Sequence, residues 1–285
     1  MAELETILSG RAFLEGPRWH DGALFVSDMH GGEVLRVTLD GSHEVVATVP
    51  QSPSGLGWLP DGRMLIVSMD DRRLLRLEPD GSLVEAADCS NVAPNEINDM
   101  IVDRHGHAFI SQFGYDMHHG GKFKKAALLR VDPDGSVHEV ADEMSIANGM
   151  IITCDERTLV VAESTGRVLT AFDLADDGSI SNRRVWAELT DFPDGICLDA
   201  EDGVWISAPG GDRFVRVIEG GEVTDAIETP GRHAIACQLG GPDGRTLFCC
   251  TSPTLGNPDE SRQVRGAKVE VTQVRVPGPP GRSRP

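Results

Sequence analysis

The sequence predicts an all-β fold, a six-bladed β-propeller whose ring is closed by the N-terminal strand joining the last blade. Three observations carry that expectation. A short segment recurs six times, most clearly as Ala147-Asn148-Gly149-Met150-Ile151-Ile152, in which a polar residue and a glycine lead into an apolar strand. The first residues of the copies stand at 15, 54, 98, 148, 194 and 236, so their separations are 39, 44, 50, 46 and 42 residues. Repeats of that length belong to propeller blades. Each copy also leads toward Asp-Gly or Gly-Gly turns between alternating apolar strands, the strongest short-range signal of a hairpin.

In chain order, Glu5 to Arg11 reads as an outer strand with nothing before it to pair with. Blade one follows as Arg18 to His20, Ala23 to Ser27, Glu33 to Leu39, an Asp40-Gly41 turn and His43 to Val49. The same order returns with Leu74 to Glu78 before Asp80-Gly81, Leu128 to Asp132 before Asp134-Gly135, Val168 to Leu174 before Asp177-Gly178, and Phe214 to Ile218 before Gly220-Gly221. The last unit has only three strands, Ala236 to Leu239, Thr246 to Thr251 and Val269 to Val276. The unpartnered N-terminal strand supplies its fourth, which removes an exposed edge. One propeller domain over 1–276 is expected, followed by a Pro/Gly-rich tail, 277–285, expected to be disordered. Two connections on the face where the inner strands begin are long, Gln112 to Ala126 and Ser252 to Lys268, and are expected to roof a site there.

Composition narrows the partners. The formal charge of -19, from 45 acids against 26 bases, repels polyanions, so nucleic acid is not an expected partner. No apolar run approaches the roughly 20 residues of a membrane helix, and Met1-Ala2-Glu3-Leu4-Glu5 is acidic where a signal peptide is basic. The expectation is a cytoplasmic protein without membrane association, a monomer or weak homo-oligomer. The six cysteines show no CxxC pair and sit mostly in apolar patterns, which reads as buried reduced thiols. Trp19, Trp58 and Trp205 read as packing between blades, and Glu163 as structural support.

Radial repetition brings the first residues of the six copies around one axis. Glu15, Ser54, Asn98, Asn148 and Asp194 all offer an oxygen there, and oxygen donors around an axial channel suit a hard cation. The alternative for Asn148 and Asp194, each before a glycine, is a turn residue.

Taken together, Glu15-Gly16-Pro17 with Trp19, Asn98-Asp99, Asn148-Gly149, Asp194-Gly195 and Gly240-Gly241-Pro242-Asp243-Gly244 resemble the regucalcin/gluconolactonase family, which includes proteins called luciferin-regenerating enzymes. The resemblance runs from about Glu5 to Ser252 and implies a sugar-lactone-lactonase-like member. It further implies one divalent metal ion on the axis, bound by Glu15, Asn148 and Asp194, with Asn98 near metal and substrate. Calcium leads the candidate metals, with zinc, magnesium and manganese behind it. The implied reaction opens a lactone or related cyclic ester with metal-activated water, Asp194 serving as general base. Where animal aldonolactonase members carry Arg two residues before the Asn of the third blade, this chain has Glu96, which accepts but does not donate hydrogen bonds when ionised. Gluconolactone is therefore not the expected optimum. Tyr115, His118 and His233 are further candidate substrate contacts, from a roof loop and from the entry to the sixth inner strand. Two rival readings remain open: a metal-dependent isomerase, cyclase or ring-opening lyase on the same site, and a calcium-responsive binding propeller without chemistry.

Overall fold

Second strands that send apolar side chains to both faces turn these repeats into a ring. In the second blade, Met64 and Ile66 pack against the first blade while Leu65 and Val67 pack against the third. A strand buried on both faces reads as a continuous apolar run, and its period-two geometry hands alternate residues to alternate neighbours.

The computed structural model describes residues 4–117 and 120–280. Six four-stranded antiparallel sheets are arranged as blades. The first is β2 (Leu14–His20), β3 (Ala23–Asp28), β4 (Glu33–Val37) and β5 (His43–Thr48); the second is β6 (Pro53–Trp58), β7 (Met64–Ser68), β8 (Arg73–Leu77) and β9 (Leu83–Asp88). The third is β10 (Ile97–Val102), β11 (Ala108–Gln112), β12 (Ala126–Val131) and β13 (Val137–Met144); the fourth is β14 (Ala147–Ile152), β15 (Thr158–Glu163), β16 (Val168–Leu174) and β17 (Ile180–Glu188). The fifth is β18 (Ile196–Leu198), β19 (Val204–Ala208), β20 (Arg213–Val217) and β21 (Val223–Glu228). The sixth contains β22 (His233–Gly240), β23 (Thr246–Ser252) and β24 (Ala267–Gln273), with β1 (Glu5–Arg11) paired antiparallel along β24.

Buried apolar residues fall into one cluster at every junction of neighbouring blades, from one-two through to six-one. Trp205 is fully buried, Trp19 stacks on Phe248 with centroids 5.3 Å apart, and Trp58 stacks on His20 at 4.2 Å. Glu163 accepts hydrogen bonds from Ser145 N, Thr170 Oγ1 and Arg183 Nη2, a structural brace between the third and fourth blades. The Asp-Gly-Ser turns repeat one device. The carboxylates of Asp40, Asp80, Asp134 and Asp177 each accept from the amide of the serine two residues on, at 3.0 Å. The glycine between takes the positive φ that this turn requires, 82° at Gly41.

One expectation, the sixth axial position, is corrected, and two segments show detail beyond the repeats. The long connection after β23 contains a short helix, α1 (Pro258–Val264), started by Asn257 whose side chain accepts from Glu260 N. The segment after Val276 stays on the propeller, since Pro277 O accepts from Ala200 N and Gly278 N donates to Gly244 O; residues 281–285 lie outside the described residues. In the sixth blade the axial position is Ile235, one residue earlier than the repeat suggested. Gly195 N donates to Ile235 O just as Gly149 N donates to Asp194 O, and the register shift between Ala234 and Ala236 matches those at the inner strands of the first four blades.

Candidate active site

The inner strands start close enough to the axis that side chains collide unless one residue has none. A Cβ on Gly55 would stand 2.4 Å from Met100 N, and one on Gly149 2.6 Å from Ile196 N. One on Gly195 would stand 2.6 Å from Ala236 Cβ. None of these three is in the left-handed region, so close approach, and not a turn, explains the glycine after Ser54, Asn148 and Asp194. Packing of this kind fixes the residues before them as a converging ring.

Their side chains form a directed chain of hydrogen bonds. Ser54 Oγ donates to Asn98 Oδ1 at 2.8 Å, Asn98 Nδ2 donates to Asn148 Oδ1 at 3.1 Å, and Asn148 Nδ2 donates to Asp194 Oδ1 at 2.5 Å. Glu15 Oε2 accepts from Gly16 N at 3.2 Å. Beneath them the buried Arg18 donates to Asp99 Oδ1 at 2.7 Å and to the carbonyls of Leu56, Pro17 and Met100. Arg18 thus matches Asp99 and leaves the charges of Glu15 and Asp194 without a cationic partner among the described residues. Asp194 has some access to solvent through the space above it, while its carboxyl is otherwise enclosed by protein. Burial pushes Asp194 up to about 7; the Asn148 amide acts against this, and Asp99 adds to it. Burial, and then the charges of Asp194 and Asp99, hold the Glu15 carboxyl well above the usual range, against the Gly16 amide and Arg18.

Above this floor lies a cavity of about 530 Å³ lined by Glu15, Asn98, Asn148 and Asp194 below and by Phe13, Met29, His30, Met69, Phe113, Tyr115, Ile146, Phe192 and Ile235 around its sides. Both long connections contribute to it, through Tyr115 and Met117 and through Leu255 and Gly256. Ser164, Thr165 and Arg167, all from the turn between β15 and β16, and Pro209 complete the lining.

Residues 13–253 match the SMP-30/Gluconolactonase/LRE-like region. The chain belongs to that family. Among its relatives, regucalcin of Danio rerio is 26% identical over 284 residues, covering 93% of this chain and 92% of that protein. A pentonolactonase of Haloferax volcanii is 27% identical over 267 residues, covering 87% and 86%. The solved structure of a gluconolactonase from Xanthomonas campestris superposes with a TM-score of 0.78 at 26% identity, covering 96% of this chain and 90% of that one.

Within this member of the SMP-30/gluconolactonase/LRE-like family, the structure brings Glu15, Asn98, Asn148 and Asp194 together and places Tyr115 on the cavity wall, edge-on to Phe123. It does not bring Glu96 or His233 to the cavity. Glu96 precedes β10; its carbonyl accepts from the N–H of the lining residue Phe113 at 3.1 Å, and its Oε2 is buried without a hydrogen-bond partner. His233 is held one layer out, its Nδ1 2.9 Å from Pro209 O and 3.0 Å from Asp212 Oδ1. His118 lies outside the described residues. Cys237, adjacent in sequence to the sixth axial strand's start, points away into the blade junction with Cys197 at 3.7 Å. Sequence reasoning missed His30, stacked on Phe13 at 5.0 Å, and Arg167. His30 sits two residues past the end of a second strand and Arg167 immediately before a third strand, and placement in the turn between those strands was the available signal.

Proposed function

We propose that the protein is a lactonase, a carboxylic ester hydrolase that opens lactones with one divalent metal ion held by Glu15, Asn148 and Asp194. One observation carries the reading. Two carboxylates and two amides from four different blades converge beneath a cavity of about 530 Å³, a size that suits a small-molecule substrate. The pentonolactonase and gluconolactonase relatives support lactone opening.

The residues present fit a hard cation. Glu15 and Asp194 bring two negative charges that Arg18 does not neutralise, and Asn148 and Asn98 bring neutral amide oxygens. Among the described residues no three His, Cys, Asp or Glu side chains stand together as a metal cluster. A donor set of two carboxylates and amides suits calcium first, then magnesium or manganese, and zinc least. Such an ion, when bound, supplies a positive charge for the lactone carbonyl oxygen and for the oxyanion that develops there.

The chain's own groups supply the remainder. Asp194 accepts a proton from the attacking water and returns it to the ring oxygen as the C–O bond breaks, giving the hydroxy acid. Asn98, fixed by Ser54 and Asn148, offers its amide to the ring or its carbonyl. Ser54 holds that amide from turning. Mass spectrometry of the product formed in ¹⁸O-water tests the reaction type. Hydrolysis puts one solvent oxygen into the carboxylate; a product that carries none, formed by the same site, would replace the hydrolase with an isomerase or lyase.

A further inference from the structure

We infer, on the basis of the lactonase reading, that the preferred substrate is a lactone bearing an apolar alkyl or aryl substituent, and not a polyhydroxy sugar lactone. The inference comes from a second ring above the carboxylates. The residue immediately after the second strand of each of the first five blades lines the cavity: Met29, Met69, Phe113, Ser164 and Pro209. The first three join Phe13, Ile146 and the sixth axial residue, Ile235, in a single buried cluster that is separate from the six junction cores. These six side chains therefore do not serve to hold blades together in pairs. They form a continuous apolar wall facing the cavity.

Polar groups are placed unevenly. Of the described lining residues above the floor, Ser164, Thr165 and Arg167 come from one turn, between β15 and β16, and His30 and Tyr115 are the other polar side chains. A lactone with a hydroxyl on every ring carbon would press several of them against thioether and phenyl groups, which accept or donate weakly or not at all. Each hydroxyl loses its water there without gaining a partner. An alkyl or aryl substituent gains instead, by about fourfold in affinity for each methylene buried. Methionine at two of the six positions lets the wall adjust to substituents of different shape.

The test is a homologous series of γ-lactones with side chains from methyl to hexyl, measured by pH-stat beside glucono-1,5-lactone on the metal-reconstituted full chain. The inference expects kcat/KM to rise with each methylene, by a factor approaching about fourfold, with gluconolactone below the longer members. Met69→Gln and Phe113→Asn are expected to lower the slope of the series, losing more on long side chains than on short ones. A flat series, or gluconolactone preferred over every alkyl lactone, overturns the inference and leaves the lactonase reading standing. No turnover of any lactone overturns the lactonase reading and the inference with it.

Discussion

Replacing Asp194 with Asn should make the metal-free protein more stable while removing its response to metal. The carboxyl is raised from 3.8 to about 7 in the folded chain, with burial as the leading cause. A raised carboxyl contributes full stability below the unfolded pKa and loses it as pH climbs through the folded value. The wild-type protein, stripped of metal, should therefore weaken between about pH 4 and pH 7. Each tenfold change in acidity is worth about 1.36 kcal/mol, so a rise of this size costs about 4 kcal/mol at pH 8, a ceiling because the carboxyl keeps some contact with solvent. Asn at 194 keeps an oxygen for the Asn148 amide, which now donates at 2.5 Å, and carries no charge to desolvate. For a domain of this size that free energy corresponds to a melting-temperature rise of about 10 °C. The assay is thermal unfolding of both proteins in chelator at pH 5 and pH 8, repeated with calcium. Asp194→Asn should melt higher than wild type at pH 8 and close to it at pH 5, and calcium should raise only the wild type. Equal or lower melting of the variant at pH 8 in chelator would refute the argument that this ring stores uncompensated charge.

Other outcomes follow from the same geometry. Arg18→Met strands the Asp99 carboxylate in a buried position where Arg18 now donates at 2.7 Å, and should cost about 3 to 5 kcal/mol in chemical denaturation. Gly195→Ala places a methyl 2.6 Å from Ala236 Cβ; it should destabilise by about 1 to 3 kcal/mol and weaken calcium binding by calorimetry, because Asp194 moves with the backbone. Thiol labelling of the native protein should reach the partly exposed Cys154 first. Burial pushes Cys89 up to about 12 and Cys197, Cys249 and Cys250 well above the usual thiol range, so these should react only after unfolding.

Much of this architecture is legible in the sequence because a propeller repeats both its strands and its errors. The Asp-Gly turns, the doubly apolar second strands and the X-Gly starts each obey a local rule; four axial residues, Glu15, Ser54, Asn148 and Asp194, are marked by a following glycine, and Asn98 by its blade spacing. The sixth slipped by one because Ile235 is apolar and is followed by Ala236 where the X-Gly starts have glycine, so neither the polar residue nor the glycine marks it. The apolar wall was invisible for another reason. Met29, Met69 and Phe113 look like the last core residues of their strands, and only the ring geometry shows that they face a cavity and not a neighbouring blade. The short helix α1 did carry a signal, Asn257-Pro258 with Glu260 three residues after the cap, which the length of the surrounding loop obscured.

The central claim is that the carboxylates on the axis hold a metal and that lactone opening depends on it. Lactone hydrolysis by protein stripped with chelator, then titrated with calcium, magnesium, manganese or zinc while binding is followed by calorimetry, tests it most directly. Turnover should be absent in the stripped protein and should rise in proportion to occupancy of one site per chain, with both signals lost in Glu15→Gln. Full turnover without metal, or a metal bound at Glu15 and Asp194 with no lactone opened, would contradict the account.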